Sequence, residues 1–141
     1  MRTFENVLVK TSVVPSSAVA GAINGAAVDT EGFGDAVAIV TVGATTGTPT
    51  SFTVDGKVQE SADGSTGWTD VTGAVITAVT VASKTAEIAI DTDKKALSKR
   101  YIRLVVTPAF VGGTAPTIGV AGVVVLGKPD RGPVSNSGVG N

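Results

Sequence analysis

Few residues in this chain have side chains suited to chemistry. Histidine and cysteine are both absent from its 141 residues. That removes Ser-His-Asp and Cys-His arrangements, and with them the usual zinc ligands. Carboxylates remain. Glu60 with Asp63, or Asp63 with Asp70, have the residue types of a glycoside-hydrolysing pair. Only Trp68, Tyr101 and 4 Phe are available to stack against a sugar. Asp91-Thr92-Asp93 offers hard oxygen ligands to calcium, but the spaced glutamate and further ligands of an EF-hand loop do not follow. Gly43-Ala44-Thr45-Thr46-Gly47-Thr48-Pro49 is glycine-rich like a phosphate cradle. Its spacing is short and no lysine follows, so it reads as an interstrand loop. Arg100 and Arg103 flank Tyr101 and could hold an anion; such side chains also lie over a sheet or pair with a partner's carboxylate. No catalytic residue, cofactor or metal is expected, and the chain does not read as an enzyme.

Charge narrows the partners. The net charge is −1, which gives no basic footprint for nucleic acid. The longest apolar stretch, Val120 to Leu126, is too short to cross a bilayer, and Glu5 and Lys10 interrupt any apolar leader. Neither nucleic acid nor membrane is expected as a partner. Charged residues make up 16%, against about 25% in an average soluble domain. A surface so poor in charge suits a protein that covers itself with other protein.

The elements that must position these residues are strands. Ala36 to Val42, Phe52 to Glu60, Ala74 to Val81, Thr85 to Ile90 and Thr117 to Leu126 are rich in Val, Ile and Thr and are separated by turn residues. Arg100 to Thr107 alternates most clearly. It places Tyr101, Arg103 and Val105 on one face and Ile102, Leu104 and Val106 on the other, inward one. Asp63-Gly64 reads as a tight hairpin turn, because glycine accepts a positive φ without a Cβ clash. Trp68, just beyond it, is expected to plug a core short of aromatics. Residues 1–27 read as a first strand and an extended small-residue arm, 28–127 as the domain, and 128–141 as a flexible or partner-docked tail. The fold expected is all-β: a single antiparallel β-sandwich of about seven or eight strands, jelly-roll-like.

Three blocks carry a resemblance. The first is Val28-Asp29-Thr30-Glu31-Gly32-Phe33-Gly34-Asp35, leading into Val37 to Ala44. The second is Val58 to Thr66 with Trp68-Thr69-Asp70-Val71. The third is Lys99 to Val106, then Gly112 to Pro116, then Val123 to Pro129. Their order resembles small virion proteins of tailed bacteriophages that decorate or cement the capsid. The second and third blocks also resemble discoidin-like carbohydrate-binding modules, which share the Ser-x-Asp-Gly-Ser-x-Trp turn and the Arg-Tyr-Ile-Arg-Leu strand. The chain lacks the early Trp-rich segment and the aromatic loop tips of those modules. The phage resemblance implies a non-enzymatic β-sandwich made in a host cytoplasm. It would sit on the outer surface of a virion as a homo-oligomer, bound to the major capsid protein. A tail or connector component is the alternative within that class. Arg100, Arg103, Arg131 and Val134 are the residues this reading places against a partner.

Overall fold

Valine, threonine and isoleucine fill the long runs of this chain, and β-branched side chains fit a pleated strand better than a helix. The computed structural model describes residues 6–82, 84–91 and 97–129. Its strands are β1 (Leu8–Ala18), β2 (Ile23–Asn24), β3 (Val28–Asp29), β4 (Phe33–Thr46), β5 (Ser51–Ser61), β6 (Thr69–Val79), β7 (Lys84–Asp91), β8 (Tyr101–Val111) and β9 (Thr117–Pro129). The first sheet runs β1-β9-β4-β7; the second runs β2-β8-β5-β6, with β3 also on β8. All pairings are antiparallel.

The pairings are nested. β5 pairs with β6, β4 with β7, β2 and β3 with β8, and β1 with β9. That is one long two-stranded ribbon whose apex is the loop after Ser61. Rolling the ribbon brings β9 beside β4 and β8 beside β5, which closes two facing sheets. This is the wrapping of a jelly roll, and the fold is the all-β sandwich expected.

Alternation fills the space between the sheets. Ala38, Val40, Val42, Val124 and Leu126 face inward from the first sheet, and Val54, Val58, Ile102, Leu104 and Val106 from the second; all are at most 1% exposed. Val105, of opposite parity, is also buried at 3%. The partly buried Phe33, Phe52 and Phe110 only pack against this core. The interior is therefore built from aliphatic side chains. Gly122 lets the sheets close: a Cβ there would sit 2.9 Å from Leu104 Cδ1 and 3.2 Å from Val13 Cβ.

The segment expected as an arm is extended, but it is stitched into both sheets. β1 pairs with β9 as far as Ala18, with register shifts around Val13 and Ser16. Pro15 lies between them and has no N–H to give a ladder. Beyond β1 the chain crosses to the second sheet. Gly21 N donates to Pro108 O at 3.1 Å, Gly25 N to Leu104 O at 2.7 Å and Ala26 N to Ser12 O at 2.6 Å. The buried Ser12 hydroxyl donates to Ala26 O at 2.8 Å and accepts from Leu104 N at 3.0 Å. Small residues are needed here, since a Cβ on Gly25 would lie 2.3 Å from Ser12 Oγ. At the other end, β9 extends through Pro129, into what the sequence suggested was tail.

Gly122→Ala is expected to cost about 1–3 kcal/mol by overpacking, and Leu104→Ala about 2–5 kcal/mol by opening a cavity. Urea unfolding followed by circular dichroism measures both. A Gly122→Ala protein as stable as its parent would mean that the sheets have room to part.

Candidate functional site

One end of the roll collects the loops after β3, β5 and β7, and it holds most of the described charge outside the strands. The apex loop spans residues 62–68, with the expected Asp63-Gly64 turn inside it, and Asp63 organises it as a cap. Asp63 Oδ1 accepts from Ser65 N at 2.9 Å and Thr66 N at 2.8 Å, and Oδ2 accepts from Thr66 Oγ1 at 2.8 Å. Ser61 Oγ donates to Asp63 Oδ1 at 3.0 Å and also bonds Thr66 O. These donors, the Thr66 and Ser65 amides first, hold the Asp63 carboxyl well below the usual carboxylate range. Gly64 has φ 75°, and a Cβ there would lie 3.0 Å from the Tyr101 ring.

Trp68 is the clearest departure from expectation. It is half-buried and lies outside the core cluster. The Arg103 guanidinium stacks over its ring, 4.3 Å from the centroid. Trp68 is two residues before Asp70, and so shares the outer face with it rather than the inner one. A network continues from there across the outside of the second sheet. Arg103 Nε and Nη2 donate to Gln59 Oε1 at 3.0 and 2.7 Å. Gln59 Nε2 donates to Asp70 Oδ1 at 2.8 Å, and Lys57 Nζ to Asp70 Oδ2 at 3.1 Å. The Gln59 bond, then the Lys57 bond, lower the Asp70 pKa.

Arg100 is likewise engaged. Its Nε and Nη2 grip Asp29 at 2.8 and 2.7 Å, and Nη2 also reaches Glu31 at 2.7 Å. The Asp29 bond raises the Arg100 pKa, and the same bond lowers that of Asp29. Glu60, which the sequence offered as one half of a catalytic pair, is buried. It accepts from Ser98 N at 2.8 Å, Ser98 Oγ at 2.7 Å and Lys99 N at 3.2 Å, and so pins residues 98–99 to the sheet. Gln59, not Glu60, is cross-strand from Asp70, so Glu60 and Asp70 face opposite sides. Asp63 is spent on its own loop. The three carboxylates share no cleft. Asp93, Arg131 and Val134 lie outside the described residues. Among the described residues, no three carboxylates gather as a metal site.

The opposite end is chemically different. Residues 18–23, 43–53, 78–82 and 107–119 meet there, and none is charged. Gly113 packs on Gly47 and Pro49, and Thr114 N donates to Gly47 O at 2.8 Å. Val19, Val81 and Val111 are 66%, 61% and 62% exposed. An open cavity of about 430 Å³ lies between the β4–β5 loop and Thr80. The chain thus has one end whose polar groups are saturated internally and one end whose described loops carry no charge, with Lys84 and Asp55 at its border. The sequence signalled the second only as a lack of Asp, Glu, Lys and Arg in those loops.

No protein-family model and no curated protein matches the chain. Solved structures do. A chain of the infectious bursal disease virus Gx strain structure is similar at TM-score 0.55 and 11% identity, covering 89% of this chain and 32% of that one. A chain of the T13 infectious bursal disease viral particle covers 89% of this chain and 36% of its own length, at TM-score 0.45 and 12% identity. A Bacillus endospore appendage protein covers 88% and 89%, at TM-score 0.41 and 15% identity. The first likeness shows a shared fold, and this chain spans about a third of that virus chain. The class defined is a jelly-roll β-sandwich.

Two outcomes follow. Trp68→Ala should cost only about 1–2 kcal/mol, the scale of an exposed stack rather than of an emptied core site; a thermal melt with a core-sized loss would return Trp68 to the interior. Asp63 has a folded pKa below its unfolded one. Its contribution is complete above the unfolded value of about 3.9 and is lost as pH falls below it toward the folded value. Asp63→Ala should therefore lower the urea midpoint clearly at pH 7 and less at pH 2; an equal drop at both would remove the carboxylate's role.

Proposed function

We propose that this chain is a non-enzymatic virion structural protein that decorates and cements a bacteriophage capsid. It binds the major capsid protein as a homo-oligomer on the outer surface. The observation that carries this reading is the division of the surface. Asp63, Glu60, Arg100 and Arg103 are occupied in holding loops and strands together, so they are not poised for a substrate. What the molecule offers outward is an end whose described loops carry no charge, with exposed Val19, Val81 and Val111. Depletion of charge is what marks the centre of a protein–protein interface. The fold shared with a virus chain supports the same class. The sugar-binding alternative loses one ring face of Trp68 to Arg103.

In this reading the end with exposed Val19, Val81 and Val111 is the seat on the shell, and many weak seats add up by avidity. The tail contributes through Arg131 and Val134. The 12 residues beyond Pro129 can extend about 40 Å, roughly the length of the roll, so they reach a neighbour or the seat. Co-sedimentation with undecorated phage heads tests it. The full chain should pellet at a fixed ratio to capsid protein. A chain ending at Pro129 should stay folded and bind several-fold more weakly, and Val19→Asp with Val111→Asp should bind at least tenfold more weakly. If no form binds heads the proposal fails, and binding to isolated tails instead selects the tail-component alternative.

A further inference from the structure

We propose that the outer face of the β1-β9-β4-β7 sheet is the surface on which a second copy of this chain packs, sheet on sheet. This rests on the homo-oligomer part of the function proposed above and says where the copies meet.

The register lays the face out in rows. Val9, Val125, Val37 and Ala89 form one row, Thr11, Val123, Ile39 and Glu87 the next, and Ala121, Thr41 and Thr85 the third. The strand neighbours Ala38, Val40, Val124 and Leu126 point into the core, so the β4 and β9 members of these rows point out. A sheet face that looks onto water alternates apolar-in with polar-out; strands apolar on both sides belong to sheets covered on both sides. The second sheet obeys the first pattern, with Lys57, Gln59, Asp70 and Arg103 on its outer face. β4 and β9 obey the other pattern, yet within one chain their outward side chains remain partly exposed, and Val9 is 46% exposed.

Three features favour a second copy as the cover. A two-fold axis sets like residues against like, which valine and isoleucine tolerate and charges do not. The carboxylates stand at the borders: Asp35 at the end of β4, cross-strand from Gly127 and Asp91, and Glu87 on the edge strand β7. A two-fold axis running along the strands keeps the two copies of Glu87 at opposite edges. The size also fits. With strands about 4.8 Å apart and a rise of about 3.3 Å, four strands of roughly nine residues present about 570 Å². Two such faces bury about 1,100 Å², which clears the ~1,000 Å² of a specific interface. Gly43 and Gly119 lie side by side at one end and leave a shallow groove of about 230 Å³ to receive opposing side chains.

Sedimentation velocity of the full chain over a micromolar range tests this. The parent should sediment as at least a pair. Val123→Lys should raise the dissociation constant at least tenfold, and Val75→Lys, on the other sheet, should not change it. Circular dichroism checks folding. If Val123→Lys does not fold, Val9→Lys on the edge strand takes its place. A parent that stays monomeric, or association indifferent to the substitution, overturns the inference. Co-sedimentation with heads separates the two readings: a monomer that still binds heads sinks this inference alone, and a pair that ignores heads sinks the function alone.

Discussion

The closeness of chain to chain where β1 crosses between the sheets sets the terms for the rest of the molecule. Ser12 ties the crossing to Leu104 with one buried hydroxyl, used both as donor and as acceptor. Buried polar groups must find such partners, because an unpaired one costs more than a hydrogen bond returns. The clasp works only if nothing larger than glycine stands at residue 25, and the sheets meet only if nothing larger stands at residue 122. The interior around them is aliphatic. The aromatic residues stand at its border, as Phe33, Phe52 and Phe110 do, or on the outer face, as Trp68 does.

Placing the aromatics outside changes what the charged residues do. Arg103 has a ring to lie on and Gln59 to bind, and Arg100 has Asp29 and Glu31. These contacts are exposed or only partly buried, so each stabilises modestly. Their main effect is geometric: they fix the apex loop and the β3–β4 turn relative to β8. The far-end loops and the two central strands of the first sheet, β4 and β9, are left mostly with valine, isoleucine, threonine, alanine and glycine.

Local alternation made much of this legible. Tyr101 to Val106 announces its two faces because period-2 burial needs only one strand to be seen. The sandwich itself follows from the number of such strands. The small-residue stretch 11–27 was harder to read. Residues that are small because a neighbouring chain presses on them look like residues that are small because nothing does. Gly25 and Ser12 acquire meaning only from Leu104, which is distant in sequence. Trp68 misled for a related reason: apolar bulk suggests a core, but parity with Asp70 and a guanidinium from another strand decide its side. The run Val120 to Leu126 did carry a signal, since its failure to alternate reflects a strand apolar on both faces.

The nested ribbon has a consequence for synthesis. Of the described strands, β1 leaves the ribosome before the others and β9, with which it pairs, after them, since Leu8 pairs with Leu126. At about 5–20 residues per second, the first strand waits on the order of ten seconds for its mate. An apolar strand with open edges would be hazardous to a nascent chain crowded among its own copies. β1 is the strand that carries Lys10, Thr11, Ser12, Pro15, Ser16 and Ser17. A polar, proline-broken strand is a poor template for pairing with the wrong chain, and β9, apolar on both faces, follows both of its sheet neighbours, β1 and β4, in the chain.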